Sequence, residues 1–218
     1  LNIAVLTVSD TRTEESDTSG QALVERLTTA GHNLADKAIV IDDVYQLRAQ
    51  VSRWIADDSI NAIISTGGTG FTSRDNTPEA LMALFDKNVE GFGEVFRHVS
   101  LSEIGTSTIQ SRAFGGIANK TVILCVPGST NACKTAWDKV IKEQLRVIKL
   151  RQAKFNKAKK LLVEANLRGV AVPEHAAAQR PVAVGEIMAQ IEVEIGTAVV
   201  ADLARLARQR ITQGACAE

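Results

Sequence analysis

Short apolar runs alternate with amphipathic stretches from the first residue to about Val126. The segments at 1–8, 36–41, 60–65 and 121–126 contain short runs of apolar, often β-branched residues and predict four strands. Between and after them, apolar residues recur at helical spacing. Strands that alternate with helices over short links indicate an α/β domain of three layers, with a mainly parallel sheet covered on both faces.

Polar residues follow three of the predicted strands at the points where the strands end. These residues are Asp42-Asp43, Gly67-Gly68-Thr69-Gly70 and Pro127-Gly128-Ser129. Ligands of parallel α/β sheets bind at the carboxyl ends of the strands. The sequence therefore predicts one polar rim assembled from distant parts of the chain.

The glycine-rich turn after the third strand is the strongest candidate binding element. Glycines allow backbone turns with positive φ, in which N–H groups converge on an anion. Asp75 follows a few residues later, where a carboxylate could hold Mg²⁺ against a bound phosphate. This stretch is typical of a phosphate- or nucleotide-binding corner.

A different pattern begins after Asn131. Residues 132–168 form a helical pattern of 37 residues without Pro or Gly, well beyond the usual ~8–20 residues of a globular helix. Within it, 139–160 holds nine Lys or Arg and one Glu. A second helical pattern covers 181–211. We therefore expect the α/β domain to be followed by a long helix and a small all-α C-terminal module.

Composition narrows the function classes. The formal net charge is zero and 45% of residues are hydrophobic, as in ordinary globular proteins. The basic stretch lacks interleaved aromatic residues, so we interpret it as a solvated helix face and expect no nucleic-acid partner. No apolar run approaches ~18 residues, and the three cysteines lack metal-ligand spacing. We expect a cytoplasmic protein without a signal peptide or a membrane partner.

Several short motifs occur together in an order that is specific to one family. They are Val8-Ser9-Asp10, Asp17-Thr18-Ser19-Gly20, Thr66-Gly67-Gly68-Thr69-Gly70, Asp75, Thr77-Pro78-Glu79-Ala80, Gly91-Phe92-Gly93-Glu94, Ser111-Arg112 and Pro127-Gly128-Ser129. With them, the first ~145 residues resemble the MoaB/MogA-like molybdenum cofactor biosynthesis family. Glu103-Ile104-Gly105-Thr106-Ser107-Thr108 and Cys133-Lys134-Thr135-Ala136-Trp137 are most similar to the bacterial MoaB branch.

The resemblance implies a domain over 1–145 that binds molybdopterin and forms a homotrimer or hexamer. Active members transfer AMP from MgATP to the terminal phosphate of molybdopterin and release pyrophosphate. A molybdopterin adenylyltransferase is thus the favoured function. The alternative is a catalytically silent, MoaB-like scaffold.

The resemblance also assigns residues to the site. Asp43 and Asp75 become the candidate catalytic residues and Mg²⁺ ligands, although Asp42 is an alternative to Asp43 and an acidic residue after a strand is often only a helix cap. The candidate binding residues for molybdopterin and ATP are Ser9, Asp10, Thr66, Gly67, Gly68, Thr69, Gly70, Glu94, Ser107, Ser111, Arg112, Pro127, Gly128 and Ser129.

The resemblance ends near residue 146. We expect a continuous basic helical linker at 146–168 and a helical oligomerisation module at 169–218. One account is a natural extension that binds a partner. The favoured account is an engineered helical fusion, because a rigid fusion requires an uninterrupted helix. Rigidly linked three-fold and two-fold axes could then close into a cage.

Overall fold

Six strands form one sheet in the computed structural model, which describes residues 1–150, 153–154, 156–157 and 160. The strands are β1 (Asn2–Val8), β2 (Asn33–Val40), β3 (Ala62–Thr66), β4 (Lys87–Asn88), β5 (Phe114–Ala118) and β6 (Thr121–Val126). Their order across the sheet is β2-β1-β3-β6-β5-β4. The pairs among β2, β1, β3 and β6 are parallel, whereas β5 pairs antiparallel with both β6 and β4.

Helices cover both faces of this sheet. They are α1 (Thr18–Thr29), α2 (Val44–Ala56), α3 (Thr77–Leu81), α4 (Glu90–Ile104) and α5 (Thr130–Ala136). Two 3-10 helices, Met82–Leu84 and Gly105–Gln110, follow α3 and α4. A π-helical turn, Trp137–Ile141, continues α5.

Successive side chains of a strand point to opposite faces of the sheet, so each strand can pack against helices on both faces. On one face, Leu6 of β1 and Ile63 of β3 join one apolar cluster with Leu47, Trp54 and Leu81 of α2 and α3. On the opposite face, α1 packs against β1, β2 and α5. The predicted three-layer α/β fold with a mainly parallel sheet is confirmed.

The parallel register brings four strand ends to one edge. Val8 is opposite Val40, and Thr66 is opposite both Thr7 and Val126. The turns that leave β1, β2, β3 and β6 therefore start side by side. The edge predicted to carry the ligand is thus built from neighbouring strands.

β4 and β5 were not predicted from the sequence. Gly115 and Gly116 interrupt the apolar pattern of β5, and glycine weakens the signal for a strand. The structure gives a packing reason for Gly116, since a Cβ atom there would lie 2.0 Å from a ring carbon of Phe85. Phe85 in turn packs on Phe114, with 5.8 Å between ring centroids. The glycine leaves room for an aromatic pair against the strand.

The chain divides into two units, Leu1–Leu145 and Arg146–Glu218. Residues 142–150 are helical. Most of the predicted linker 146–168 and all of the predicted module 169–218 lie outside the described residues. The linker, the module and the engineered-fusion account therefore stay predictions. None of the helices in the described ranges has the length and apolar character needed to cross a bilayer.

Candidate functional site

A cavity of about 460 Å³ opens at the edge where the parallel strands end. This volume is in the range of small-molecule sites, roughly 300–1,000 Å³. Many of the predicted site residues line it: Ser9, Thr66, Gly67, Gly68, Thr69, Gly70, Asp75, Ser107, Ser111, Pro127 and Gly128. The structure therefore brings together predicted residues from four separate segments of the chain.

The turn after β3 is the wall of the cavity with the most restricted backbone. Gly67 and Gly68 have φ values of 103° and 63°, which only glycine adopts readily. Thr77 at the start of α3 holds the turn, because its N–H donates to the Gly68 carbonyl at 3.0 Å and its hydroxyl donates to the Gly67 carbonyl at 3.0 Å. The turn is thus fixed by α3 before any ligand binds.

Asp75 lies on the loop that continues this turn. Its Oδ2 accepts from the backbone N–H of Thr72 at 2.8 Å and from the Thr72 hydroxyl at 2.7 Å. Burial alone raises the pKa of the Asp75 carboxyl, but the hydrogen bonds from Thr72 and Gly70 and the charge of Arg112 together outweigh it and hold the pKa below its ordinary value. Asp75 is therefore an anion at neutral pH and faces the cavity.

Arg112 serves the same loop from outside the cavity. Its Nε donates to the Gly70 carbonyl at 2.8 Å and its Nη2 donates to the Asp75 carbonyl at 2.5 Å, while Nη1 pairs with Glu79. These contacts occupy most of the guanidinium donors and leave few of them for the predicted anion-binding role. The contacts instead indicate an arginine that positions the loop of Gly70 and Asp75.

We expect Arg112→Lys to loosen this loop. One ammonium group cannot reproduce three donors in the fixed fork of a guanidinium. The variant should lose about 1 kcal/mol of unfolding free energy, the net value of a typical hydrogen bond, and amide hydrogen exchange should speed up in residues 70–76. Arg53→Lys is the control, since Arg53 is exposed and donates to Gln50. Unchanged exchange in Arg112→Lys would contradict the positioning role.

Asp42 and Asp43 differ sharply in their surroundings. The Asp43 carboxylate caps α2, where it accepts from the backbone N–H groups of Tyr45 at 3.1 Å and Gln46 at 2.9 Å. Asp42 is buried, and its Oδ1 accepts from the N–H of Asn76 at 3.0 Å. A Cβ atom on Gly68 would lie 2.5 Å from Asp42 Oδ2. Asp42, rather than Asp43, is the carboxylate that touches the glycine turn.

The protonation of Asp42 should affect stability. Burial raises the pKa of its carboxyl, and the nearby Asp75 and Asp10 carboxylates add to the rise. A raised pKa in the folded protein gives stability that is complete below the unfolded value of about 3.9 and is lost as pH rises through the folded value. The charged form of Asp42 thus destabilises the fold at neutral pH.

We therefore expect Asp42→Asn to raise Tm at pH 7.5 and to have a smaller effect near pH 4, where the native carboxyl takes up its proton. Asparagine keeps an oxygen acceptor for the Asn76 N–H. Thermal unfolding of both proteins at each pH measures the difference, and Asp43→Asn is the control. A lower Tm for Asp42→Asn at pH 7.5 would show that the carboxylate is a net stabiliser.

Three other predicted residues lie outside the cavity lining. Asp10 accepts from Arg74 at 2.6 Å and from the backbone N–H of Asp42 at 3.0 Å. Ser129 caps α5, where its hydroxyl accepts from the N–H of Ala132 at 3.1 Å. Glu94 is exposed on α4. Asp10 and Ser129 thus support the rim, while Glu94 is not placed at this cavity.

The cavity also has lining residues that the sequence analysis did not assign. They are Thr7, Val8, Arg12, Ser19, Phe71, Ile104 and Gln110. Arg12 belongs to the polar turn after β1, so its position at a strand end was a usable signal. Ile104 lies at the end of α4 and Gln110 at the end of the 3-10 helix that follows it. No local sequence pattern indicates that this segment reaches the edge of the sheet where the parallel strands end.

The acidic side chains near the cavity can be compared with what a Mg²⁺ ion requires. No cluster of three or more His, Cys, Asp or Glu side chains suited to a metal ion occurs within the described ranges. Mg²⁺ often takes only one or two protein carboxylates and completes its shell with water and substrate phosphates. Carboxylates beside the glycine turn fit an ion of that kind, which would arrive with a nucleotide.

Comparison with known proteins identifies relatives over this domain. A family profile described as "Probable molybdopterin binding domain" matches residues 4–147. Molybdenum cofactor biosynthesis protein B of Escherichia coli K12 is 59% identical over 143 residues, which covers 66% of this chain and 84% of the relative. The protein of the same name from Bacillus subtilis 168 is 43% identical over 142 residues, covering 65% and 84%.

Solved structures agree with these matches. A crystal structure of a molybdenum cofactor biosynthesis protein B has a TM-score of 0.66 and 42% identity, covering 68% of this chain and 92% of that one. The tungsten cofactor synthesizing protein MoaB from Pyrococcus furiosus has a TM-score of 0.59 and 35% identity, covering 68% and 94%. The similarity therefore extends over nearly the whole length of these relatives.

Proposed function

The chain belongs to the MoaB-like molybdenum cofactor biosynthesis family, and from this premise we propose that its cavity binds molybdopterin and a nucleotide. The observation that carries the proposal is the glycine turn, whose left-handed backbone is fixed by Thr77 beside two buried or half-buried carboxylates. Such a turn presents backbone N–H groups to an anion. Both proposed ligands are phosphate esters.

The proposed reaction is adenylyl transfer. An oxygen of the terminal phosphate of molybdopterin attacks the α-phosphorus of ATP, and a new P–O bond forms. The bond from the α-phosphorus to the oxygen that bridges to the β-phosphate breaks, and pyrophosphate leaves with that electron pair. Positioning two phosphate groups in line supplies much of the acceleration in such reactions.

Asp42 and Asp75 are the carboxylates proposed for catalysis. Asp75 lines the cavity, and Asp42 lies against Gly68, one of the glycines that line it. A bound Mg²⁺ would offset the negative charge that the triphosphate develops. The two side chains would orient that ion, while Thr72 and Asn76 hold their oxygens in place.

Exposed apolar side chains support self-association next to the site. Val95, Leu101 and Ile104 on α4 and Ile109 in the following 3-10 helix are each about half exposed or more. Ile104 also lines the cavity. We propose that copies of the domain meet along this surface in the trimer or hexamer that the family resemblance implies, so that a neighbour lies beside each cavity.

Pyrophosphate release tests the proposed reaction. Purified protein is incubated with MgATP, with and without molybdopterin, and pyrophosphate and the adenylylated pterin are quantified. We expect both products only when all substrates are present, and none after chelation of Mg²⁺.

A silent scaffold is the second candidate, and one observation favours it. If the carboxylate used by active relatives corresponds to Asp43, that group is engaged at the α2 cap. The same assay separates the two functions, because a scaffold would bind molybdopterin and release no pyrophosphate.

A further inference from the structure

Arg12 is the single cationic side chain among the residues that line the described cavity. It lies on the turn between β1 and α1, and the loop that Arg112 holds lines the same cavity through Gly70 and Asp75. Anionic ligands need a cation or several N–H donors close by, and arginine binds phosphate through its planar fork. Arg12 is therefore the natural counterion for a phosphate in this cavity.

The turn holds Arg12 in place through neutral groups. The Ser9 hydroxyl accepts from the backbone N–H of Arg12 at 3.2 Å, and the Nη1 of Arg12 donates to the Ser16 carbonyl at 2.6 Å and to the Thr18 hydroxyl at 3.2 Å. Thr18 is in turn hydrogen-bonded to Thr130 at 2.7 Å. The side chain is thus tied to the starts of α1 and α5.

The charge of Arg12 has no acidic partner among the described residues, where the ion pairs involve Arg26, Lys37, Arg74, Arg112 and Lys139. Its Nε and Nη2 make no hydrogen bond within the same ranges, so two donors of the fork remain for a ligand. Arg112 is the opposite case, since Glu79 offsets its charge and backbone carbonyls take its donors.

We propose that Arg12 is the residue that binds the phosphate group of the pterin ligand, and that Arg112 only positions the facing loop. The choice of a pterin phosphate rests on the proposed function, whereas the anion site rests on Arg12 and the cavity alone. Arg12 would fix the terminal phosphate by two N–H donors and thereby set which end of the pterin faces the glycine turn.

Inorganic pyrophosphate is the first probe, measured by calorimetry at constant ionic strength. Arg12→Gln should weaken binding by roughly tenfold or more, because a hydrogen bond to a charged group contributes about 1.5–3 kcal/mol. Arg12→Lys should fall between the two. Arg53→Gln removes the same charge from an exposed site and should bind as the native protein does. Equal affinity in Arg12→Gln, or no binding by the native protein, would overturn the anion site.

Molybdopterin and its dephosphorylated form are the second pair of probes. Arg12→Gln should lose affinity for the phosphorylated pterin and keep its affinity for the dephosphorylated one. An equal loss for both would show that Arg12 only maintains the structure. If the native protein binds neither pterin but Arg12→Gln still loses pyrophosphate, the proposed function fails and the anion site stands.

Discussion

Gly68→Ala is expected to lower the free energy of unfolding by roughly 2–4 kcal/mol and to abolish ligand binding. An alanine at a φ of 63° is strained, and its Cβ would lie 2.2 Å from the Thr77 hydroxyl oxygen and 2.5 Å from Asp42 Oδ2. Relief of these overlaps would separate Thr77 from the Gly67 carbonyl. The turn would then lose the hydrogen bond that shapes it.

Thermal unfolding and calorimetry with pyrophosphate measure both effects. A loss of this size should lower Tm by roughly 5–15 °C in a domain of this length. Gly91→Ala is the matched control, since no atom lies within 4 Å of a Cβ at that helical position. Alanine there should be neutral or stabilising by up to about 1 kcal/mol. Equal stability of the two variants would refute the steric account of the turn.

Asp42→Asn is expected to lower the rate of AMP transfer by roughly 100-fold or more, while Asp43→Asn keeps most of the native rate. Loss of a carboxylate that orients Mg²⁺ removes several kcal/mol of charge stabilisation, and each 1.36 kcal/mol is tenfold in rate. Asparagine caps helices as well as aspartate does, so Asp43→Asn preserves α2. Each variant therefore removes one negative charge, and the two variants differ only in which of the adjacent residues loses it.

The rate constants kcat of the three proteins, measured at saturating MgATP, decide between the two carboxylates. Asp42→Asn should unfold at a higher temperature than the native protein. A lower rate in that variant would therefore not result from unfolding. A large loss in Asp43→Asn with a native rate in Asp42→Asn would assign the catalytic carboxylate to Asp43. Native rates in both variants would show that neither carboxylate is needed for catalysis.

The parallel part of the fold follows from local patterns. The strands that become β1, β3 and β6 are mostly apolar, and β2 ends in a short apolar run. The polar residues after β2, β3 and β6 indicate the ligand edge from sequence alone. β4 and β5 depend instead on how Phe85 packs against Gly116. That contact joins distant segments, so no periodicity in the sequence indicates it.

The candidate site also has parts that the sequence indicates and parts that only the structure shows. The glycine turn is evident in the sequence, because positive φ requires glycine. The roles of Asp42 and Asp43 cannot be separated in sequence, since either could cap α2 or face the turn. Arg112 sits in a family motif, yet the acceptors of its guanidinium lie up to 42 positions away in the chain. Its use as a positioning group emerges only when the 70–79 segment folds back onto it.

A crystal structure of the protein grown with molybdopterin would show where the pterin binds. We expect the pterin in the cavity bounded by Gly67, Gly68 and Gly70, with its terminal phosphate beside Arg12. A pterin bound at another surface, with this cavity open to solvent, would contradict this expectation.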